Sequence, residues 1–264
     1  MIKSIPENTP IILVDNGRTN TFDTLPEGRN IKIVTLPSNC GFGKGCNEGA
    51  KHAITPLLFF LNPDAQVAPG ALAALLNGFT NHPEGSAFNP RISNNNGRPY
   101  FKRRSYLLPR AQWMKRGWPA TDSPVPVLSG AALLLSKHHF DLAEGFDENI
   151  FLYHEDDDLS LRLRQLGALF YIREAHIIHG GGRSSSRSCE IAYFKARHLA
   201  ISRVYVGRKH GRPFPLLSTL FQSLLLLSSP YNIVSRRRRA KAIGMLSGTM
   251  ACCFRSKDET IQAP

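Results

Sequence analysis

Acidic residues are almost absent from the last third of this 264-residue chain. Between residues 183 and 257 the only acidic residue is Glu190, against 15 lysines and arginines. The first 182 residues are nearly balanced, with 18 basic and 17 acidic side chains. The sequence therefore predicts a balanced globular domain followed by a basic segment. Such a segment attracts nucleic acid or an anionic membrane.

The sequence also lacks a regular cysteine pattern and a secretory leader. Its five cysteines are odd in number and match no zinc-binding spacing: Cys40, Cys46, Cys189, Cys252 and Cys253. This excludes a disulfide scaffold and a zinc module, and it predicts free thiols in a reducing cytosol. The first eight residues are too polar to form a signal peptide. We therefore expect a cytoplasmic protein.

Short apolar runs alternate with helical patterns through the first 180 residues. The predicted strands are 10–14, 30–36, 56–61, 125–135, 168–172 and 175–179, and the predicted helices include 47–54 and 69–82. This alternation predicts an α/β fold, with a mainly parallel sheet and flanking helices. Ligands of such sheets bind beyond the carboxyl ends of the strands. Residues 89–124, rich in Asn, Arg and Pro, are predicted to form a long surface excursion.

Four consecutive carboxylates, Glu155–Asp158, lie between an aromatic run and an amphipathic helix. Acids at a helix N-terminus are often simple caps, which is one interpretation here. One or two acids suffice for capping, however, and four crowded charges raise the pKa of at least one of them. A carboxylate tuned in this way suits a general base.

Three other polar positions follow predicted strands. Asp15 and Asp64 each stand at a strand end, and Pro63 stops the strand before Asp64. Carboxylates combined with phosphate oxygens are the usual ligands of Mg²⁺ or Mn²⁺ in nucleotide sites. His179 precedes three glycines and could complete a metal shell. Turn formation or helix capping by the aspartates, and a solvent-exposed histidine, remain the alternatives.

The glycine-rich sequence Gly41–Gly45 is predicted to be a loop that opens a helix at Asn47. It lacks the ending of a phosphate-binding P-loop, and its spacing differs from the dinucleotide fingerprint. Both close approach to a nucleotide and tight helix packing need small residues, so the pattern alone leaves both explanations open.

Together these motifs resemble those of family 2 glycosyltransferases, especially the bacterial rhamnosyltransferase-like branch. The matching stretches, in order, are Val14–Gly17, Asn39–Gly49, Leu61–Asp64, Ser129–Leu134, Gly145–Glu148, Phe151–Leu159 and His179–Ser184. The resemblance implies a GT-A fold, a nucleoside-diphosphate-sugar donor and a divalent cation, Mg²⁺ or Mn²⁺. It further implies transfer with inversion of a sugar, rhamnose among the candidates, to a glycan or lipid-linked acceptor in cell-surface polysaccharide synthesis.

The resemblance also implies individual roles for matching residues. Asp156 is similar to the family's catalytic base, with Glu155 as its supporting neighbour. Asp64 resembles the metal-binding aspartate, and His179 resembles a histidine near the metal and diphosphate. Donor-binding roles are implied for Asp15, Gly43, Asn47, Asn62, Asp64 and Gly130.

One departure from the family pattern concerns the N-terminus. Family members usually begin with a strand and a helix before the strand that matches Val14, and the 13 residues preceding Val14 cannot hold both. We therefore expect a GT-A fold without its first strand and helix. An alternative function is an N-terminally truncated, inactive, membrane-associated scaffold. A metal-dependent phosphoesterase is a further alternative, but it needs more His and Asp ligands than the sequence offers.

The C-terminal segment contains an apolar stretch, 214–234, followed by Arg236–Arg239. Pro215 and Pro230 limit its helix to about 14 residues, or roughly 21 Å, against a hydrocarbon core of about 30 Å. We therefore predict a catalytic domain over 1–190. Residues 191–264 are predicted to form a helical appendage on the anionic inner face of the cell membrane, with no nucleic-acid partner. Helices packed back on the catalytic domain are the alternative.

Overall fold

The computed structural model of the protein describes residues 1–17, 25–180 and 188–254. The chain divides into two compact units. The first comprises Met1–Asp147 and Asp156–Ser184, and the second comprises Glu148–Glu155 and Ser185–Pro264. The short segment that precedes the acidic helix therefore belongs to the same unit as the C-terminal helices.

The first unit contains the described strands and four helices of the described chain. The strands are β1 (Ile11–Asn16), β2 (Ile31–Leu36), β3 (Leu57–Leu61), β4 (Ala65–Val67), β5 (Gly85–Asn94), β6 (Ser123–Pro124), β7 (Ala132–Ser136) and β8 (Ala168–His179). The helices are α1 (Phe42–Ala50), α2 (Ala71–Asn81), α3 (Lys137–Leu142) and α4 (Glu155–Leu163), the last beginning at the border between the units.

The strands form two sheets. β1 and β2 pair in parallel as a two-stranded sheet. The six-stranded sheet has the order β3-β7-β5-β8-β4, and β6 pairs with β8. Among its described pairs, β5 with β8 is parallel, whereas the others are antiparallel. The predicted α/β class is confirmed, but the sheet is mixed rather than mainly parallel. The alternation of elements along the chain does not reveal that β7 inserts between β3 and β5.

Several predicted element boundaries are wrong. Gly43 and Gly45 lie inside α1 rather than in a loop before it. The predicted surface excursion begins with β5, which is buried along most of its length. The two short strands predicted after residue 168 are one strand, and its pairing with β5 shifts register between Pro90 and Arg91. In each case, tertiary contacts stabilise a conformation that local composition does not favour.

The core of the first unit lies between the six-stranded sheet and its helices. Leu159 and Leu163 of α4 are fully buried against a cluster that includes Phe146 and Tyr171. This confirms the predicted apolar face of the acidic helix. Burial of each leucine stabilises the folded protein by about 1.5–3 kcal/mol relative to exposure. These contacts fix the position of α4 and therefore of its acidic first turn.

The second unit is helical. Its helices are α5 (Cys189–Lys209), α6 (Pro215–Leu227), α7 (Tyr231–Val234) and α8 (Arg236–Phe254). Gly244 and Gly248 of α8 face α5 so closely that a Cβ atom would come within 2.3 and 2.2 Å of the carbonyl oxygens of Tyr193 and Arg197. Glycine thus permits close approach of two helix backbones. Within the described part of the chain, no helix is both long and apolar enough to cross a membrane.

Candidate active site

Asp64, Asn62 and His179 meet at one end of the six-stranded sheet. The chain leaves β3 at Leu61 and turns into β4, whose first residue, Ala65, pairs with His179. The His179 Nε2 atom lies 3.1 Å from Asp64 Oδ1 and 3.2 Å from Asn62 Nδ2. Residues that are 117 positions apart in the sequence are thus side by side. The remaining residues of the predicted 179–184 motif, 181–184, lie outside the described residues.

This cluster has polar atoms that a ligand would satisfy. Asn62 Oδ1 and His179 Nδ1 are buried and have no hydrogen-bond partner, and leaving such groups unsatisfied costs about 1–3 kcal/mol each. A carboxylate, an amide oxygen and an imidazole are suitable ligands for Mg²⁺ or Mn²⁺ together with phosphate oxygens. No group of three or more His, Cys, Asp or Glu side chains suited to a metal occurs among the described residues. The carboxylate, amide oxygen and imidazole of the cluster fit a divalent cation that also binds phosphate oxygens.

Asp156, the predicted base, is held in the first turn of α4 by three donors. The Gly130 backbone N–H donates to its Oδ2 at 3.0 Å. Its Oδ1 lies 2.5 Å from Lys102 Nζ and accepts the Asp157 N–H at 2.9 Å. The side chain of Asp156 is 20% exposed, so a substrate hydroxyl can still reach it. A Cβ atom on Gly130 would lie 3.2 Å from the Asp156 Cβ, which explains the small residue there.

Lys102 is a site residue that the sequence did not indicate. Its ammonium lies between Asp156 and Asp157, 3.1 Å from the Asp157 carboxylate. Burial alone would lower the pKa of Lys102, but the two aspartates outweigh that effect and raise it above the usual value. Lys102 is therefore a permanent cation that offsets the repulsion within the acidic turn.

Tyr100 packs against His179 of the Asp64 cluster. Its ring lies 4.8 Å from the imidazole of His179, measured between centroids. Burial raises the pKa of Tyr100, and the charges of Asp156 and Asp64 raise it further, whereas Lys102 lowers it. The Asn62 backbone N–H donates to the Ala131 carbonyl at 3.0 Å, and the neighbouring Gly130 N–H donates to Asp156, so two adjacent residues contact the Asp64 cluster and the acidic turn. Both Tyr100 and Lys102 lie in the predicted surface excursion. The sequence signal there is an aromatic pair, Tyr100 and Phe101, followed by a lysine.

The other acids of the turn differ from Asp156. Asp158 is fully buried, and its Oδ2 accepts hydrogen bonds from Arg162 Nε at 2.9 Å and Nη2 at 2.6 Å. Arg162 also donates to the carbonyl oxygens of Ala143 and Gly145. Asp158 is thus a structural residue that anchors the preceding turn. Glu155 is the first residue of α4.

The backbone just before α4 is strained. Tyr153 and His154 have φ values of 68° and 67°, in the left-handed region that non-glycine residues rarely adopt. Such residues cost on the order of 1–3 kcal/mol each and cluster at functional sites. The strain supports a functional interpretation of the acidic turn beyond helix capping.

The predicted donor-binding residues outside this cluster have other contacts. Asp15 is buried on the β1–β2 sheet. Both amide atoms of Asn47 bind the backbone of Phe146, donating to its carbonyl and accepting its N–H, each at 2.8 Å. A Cβ atom on Gly43 would lie 2.8 Å from the Phe146 Cβ. Packing against Phe146 therefore accounts for Gly43 and Asn47, and their contact with a donor stays a prediction.

The mixed sheet and its flanking helices define the class of fold, GT-A, which is the fold of the solved structures that resemble the chain. The crystal structure of GalNAc-T7 with UDP, GalNAc and Mn²⁺ superposes with a TM-score of 0.54 at 14% identity, covering 95% of this chain and 52% of that chain. The chain thus spans about half the length of GalNAc-T7. S. aureus TarS 1–349 in complex with UDP gives a TM-score of 0.51 at 13% identity, covering 94% and 83%. At these identities the likeness shows the fold alone.

The sequence comparison identifies the family. The glycosyl transferase family 2 model matches residues 2–142, and the chain belongs to this family. N-acetylglucosaminyl-diphospho-decaprenol L-rhamnosyltransferase of Mycobacterium tuberculosis is 27% identical over 273 residues, covering 90% of this chain and 88% of the relative, in strains CDC 1551 / Oshkosh and ATCC 25618 / H37Rv. The predicted membership in family 2, near rhamnosyltransferases, is confirmed.

Proposed function

We propose that this protein is an inverting, metal-dependent glycosyltransferase of cell-surface polysaccharide synthesis. It would move a sugar, with rhamnose the first candidate, from a nucleoside diphosphate to a lipid-linked acceptor. The name of the mycobacterial relative supports this donor and acceptor class. The observation that carries the proposal is that Gly130 donates to Asp156 while the adjacent Ala131 accepts from Asn62, so that a base and a place for a diphosphate would lie close together.

In the proposed reaction, Asp156 takes the proton from the acceptor hydroxyl. The hydroxyl oxygen bonds to the anomeric carbon as the bond to the diphosphate oxygen breaks on the opposite side, which inverts the configuration. Lys102 and two backbone N–H groups hold the carboxylate in position. Positioned proton transfer of this kind contributes about 10²–10⁴-fold.

The leaving diphosphate would lie at Asp64, Asn62 and His179. A divalent cation bound there would neutralise the charge that develops on the leaving group. The Asp64 carboxylate and the His179 imidazole would hold the cation, and the buried Asn62 Oδ1 atom gives the site a further acceptor. Asp15, Gly43, Asn47 and Gly130 are proposed to contact the donor, the last through its place beside Asp156.

The two parts of the chain would have different roles, catalysis and membrane contact. Residues 1–190 are proposed as the catalytic domain and residues 191–264 as an appendage that meets the anionic inner surface of the cell membrane. The support is the excess of basic residues after residue 183. Such a location would bring the site to a lipid-linked acceptor.

A transfer assay tests the proposal. The purified protein is incubated with Mg²⁺ or Mn²⁺, a diphosphate-linked N-acetylglucosamine acceptor with a short lipid, and a panel of nucleoside-diphosphate sugars that includes rhamnose. We expect one donor to be used, a chelator to stop transfer, and NMR of the product to show the inverted anomer. No transfer from any donor, or retention of configuration, would contradict the proposal.

A further inference from the structure

The helix α6 presents its large apolar side chains to solvent. Leu217, Phe221, Leu224 and Leu225 are 60%, 64%, 51% and 56% exposed. They recur at i, i+4, i+7 and i+8, so they form one stripe along the helix. A helix of a water-soluble unit normally turns such a stripe inward.

The opposite face of α6 is small and polar, yet it is the buried one. Thr219 and Ser223 are fully buried, as is Thr249 of α8. The Ser223 and Thr249 hydroxyls share a hydrogen bond of 3.0 Å across the two helices, in which one of them donates to the other. The hydroxyl that accepts this bond, and the hydroxyl of Thr219, each donate to a carbonyl four residues earlier in their own helix. Every hydroxyl on this face is therefore satisfied.

The helix α6 thus has an inverted arrangement. Small hydroxyl residues inside and large apolar residues outside are typical of helices that pack in lipid, where exposed apolar surface costs nothing. In water, an exposed apolar face of this kind marks an interaction site.

The apolar surface continues into α7 and ends at a cationic cluster. Phe214, Tyr231, Ile233 and Val234 are 74%, 64%, 82% and 88% exposed. Arg236–Arg239 follow directly, and the Arg238 guanidinium lies 4.7 Å from the centre of the Tyr231 ring. An apolar face bordered by arginines matches the two layers of a bilayer surface, acyl chains and anionic headgroups. A protein partner would need only the apolar face or only the arginines, whereas a membrane surface accounts for both.

We propose that the exposed face of α6, together with α7, inserts into the acyl boundary of one leaflet, while Arg236–Arg239 contact anionic headgroups. We call this surface, Phe214, Leu217, Phe221, Leu224, Leu225, Tyr231, Ile233 and Val234, the insertion face. The proposal rests on the proposed membrane location and adds the residues and the mode of contact. Spanning is excluded for α6 because its 13 residues reach about 20 Å, against about 30 Å of hydrocarbon.

The test is vesicle flotation of the full chain with neutral and anionic lipid. The triple variant Leu217→Ser, Phe221→Ser, Leu225→Ser should weaken binding to anionic vesicles by about 1,000-fold, since each burial is worth about tenfold. The matched control replaces two exposed apolar residues of the first unit, Ile54→Ser and Leu142→Ser, and should bind as wild type. Replacing Arg236–Arg239 by Gln should remove the preference for anionic lipid and the sensitivity to salt.

Transfer to a water-soluble acceptor that lacks a lipid separates this proposal from the proposed function. The triple variant should keep wild-type turnover on that acceptor and lose turnover on vesicle-bound acceptor. If no variant or wild type transfers sugar but flotation follows the pattern above, only the proposed function fails.

Three results would overturn the proposal that the insertion face enters a membrane. They are wild-type flotation of the triple variant, absence of flotation with every vesicle, and a lipid-free dimer that the triple substitution converts to monomer. The last result would mean that a second copy of the chain covers the face.

Discussion

Asp156 and Asp158 lie two positions apart in one helical turn but have different surroundings. Asp156 is bound by a lysine and by backbone N–H groups and is 20% exposed. Asp158 is fully buried against Arg162. The sequence presents both as members of one acidic run, so substitution of each should separate chemistry from stability.

Asp156→Asn should lower turnover by about 10²–10⁴-fold, because the amide cannot accept the proton of the acceptor hydroxyl. Donor binding precedes proton transfer, so the dissociation constant of the donor measured by calorimetry should stay within about twofold. Asp157→Asn is the matched control, since Asp157 also contacts Lys102 but is not the proposed base. Normal turnover of the Asp156→Asn protein would remove Asp156 from the mechanism.

Asp158→Asn should destabilise the protein by about 3–5 kcal/mol, because the guanidinium of Arg162 loses the buried carboxylate that balances its charge. Asp141→Asn provides the control. Asp141 forms a similar pair with Lys137, four residues earlier, at 3.3 Å, but its side chain is 58% exposed, and such pairs contribute only about 0.3–0.5 kcal/mol. Chemical denaturation of both variants gives the comparison. Equal losses in the two would show that the buried pair has no special role.

Asp64→Ala should weaken the metal-dependent binding of a nucleoside diphosphate by about 100-fold or more, because loss of a supporting partner alone typically costs 10–100-fold. Calorimetric titration with and without Mn²⁺ measures the difference. The melting temperature should change little, since Asp64 is near the surface of the sheet end rather than in the core clusters. Unchanged affinity in the presence of Mn²⁺ would exclude Asp64 as a ligand.

At the scale of the element, α5 contains a buried histidine. His198 is 1% exposed, and its ring lies 4.5 Å from those of Phe151 and Phe194. Neither ring nitrogen has a hydrogen-bond partner. Burial, followed by the charge of the neighbouring Arg197, lowers the pKa of His198 to about 4. The imidazole is therefore neutral in the folded protein.

We expect the second unit to lose stability between about pH 6.5 and about pH 4. In this window the unfolded chain binds a proton at His198 and the folded chain does not, so acid favours unfolding. His198→Leu should abolish this part of the pH dependence and should not cost stability at pH 7, because no hydrogen bond is lost. Denaturation series at pH 7 and pH 4.5 compare it with His138→Leu, which replaces an exposed histidine. A pH dependence that persists in His198→Leu would contradict the assignment.

At the scale of the whole molecule, the chain does not divide cleanly along the sequence. The segment Glu148–Glu155 belongs to the second unit. In it, Phe151 packs on Phe194, and the Leu152 carbonyl accepts a hydrogen bond from Ser202 at 2.8 Å. The acidic turn is therefore connected directly to a segment that the C-terminal helices hold in place.

A fragment of residues 1–190 should fold poorly, because it leaves Phe151 without Phe194, His198 and the rest of α5. Exposure of one buried aromatic costs about 1.5–3 kcal/mol. We expect a melting temperature several degrees lower than that of the full chain and binding of a hydrophobic dye. The full-length variant with Arg236–Arg239 replaced by Gln should melt as wild type. A fragment as stable as the full chain would show that residues 148–155 need no partner.

The sequence by itself determined the class, the family and the order of the motifs. The sequence predicts Asp64 and His179 because each follows an apolar run and has a residue type that the chemistry requires, whereas Asp156 is predicted because it matches a residue of the family. The helical C-terminal segment was also predicted, since Pro215 and Pro230 limit any helix between them regardless of tertiary context. α6 accordingly spans Pro215–Leu227.

Only the tertiary structure decided which polar residues share a site and which faces are buried. Lys102 has no local signal that separates it from Arg103 and Arg104, because its role depends on a contact with Asp156, 54 positions later. The mixed sheet was missed for the same reason, since strand order depends on pairings between distant segments. The polar inner face of α6 also depends on a partner, Thr249 of α8. A single sequence records propensity and periodicity, whereas these features depend on contacts between segments far apart along the chain.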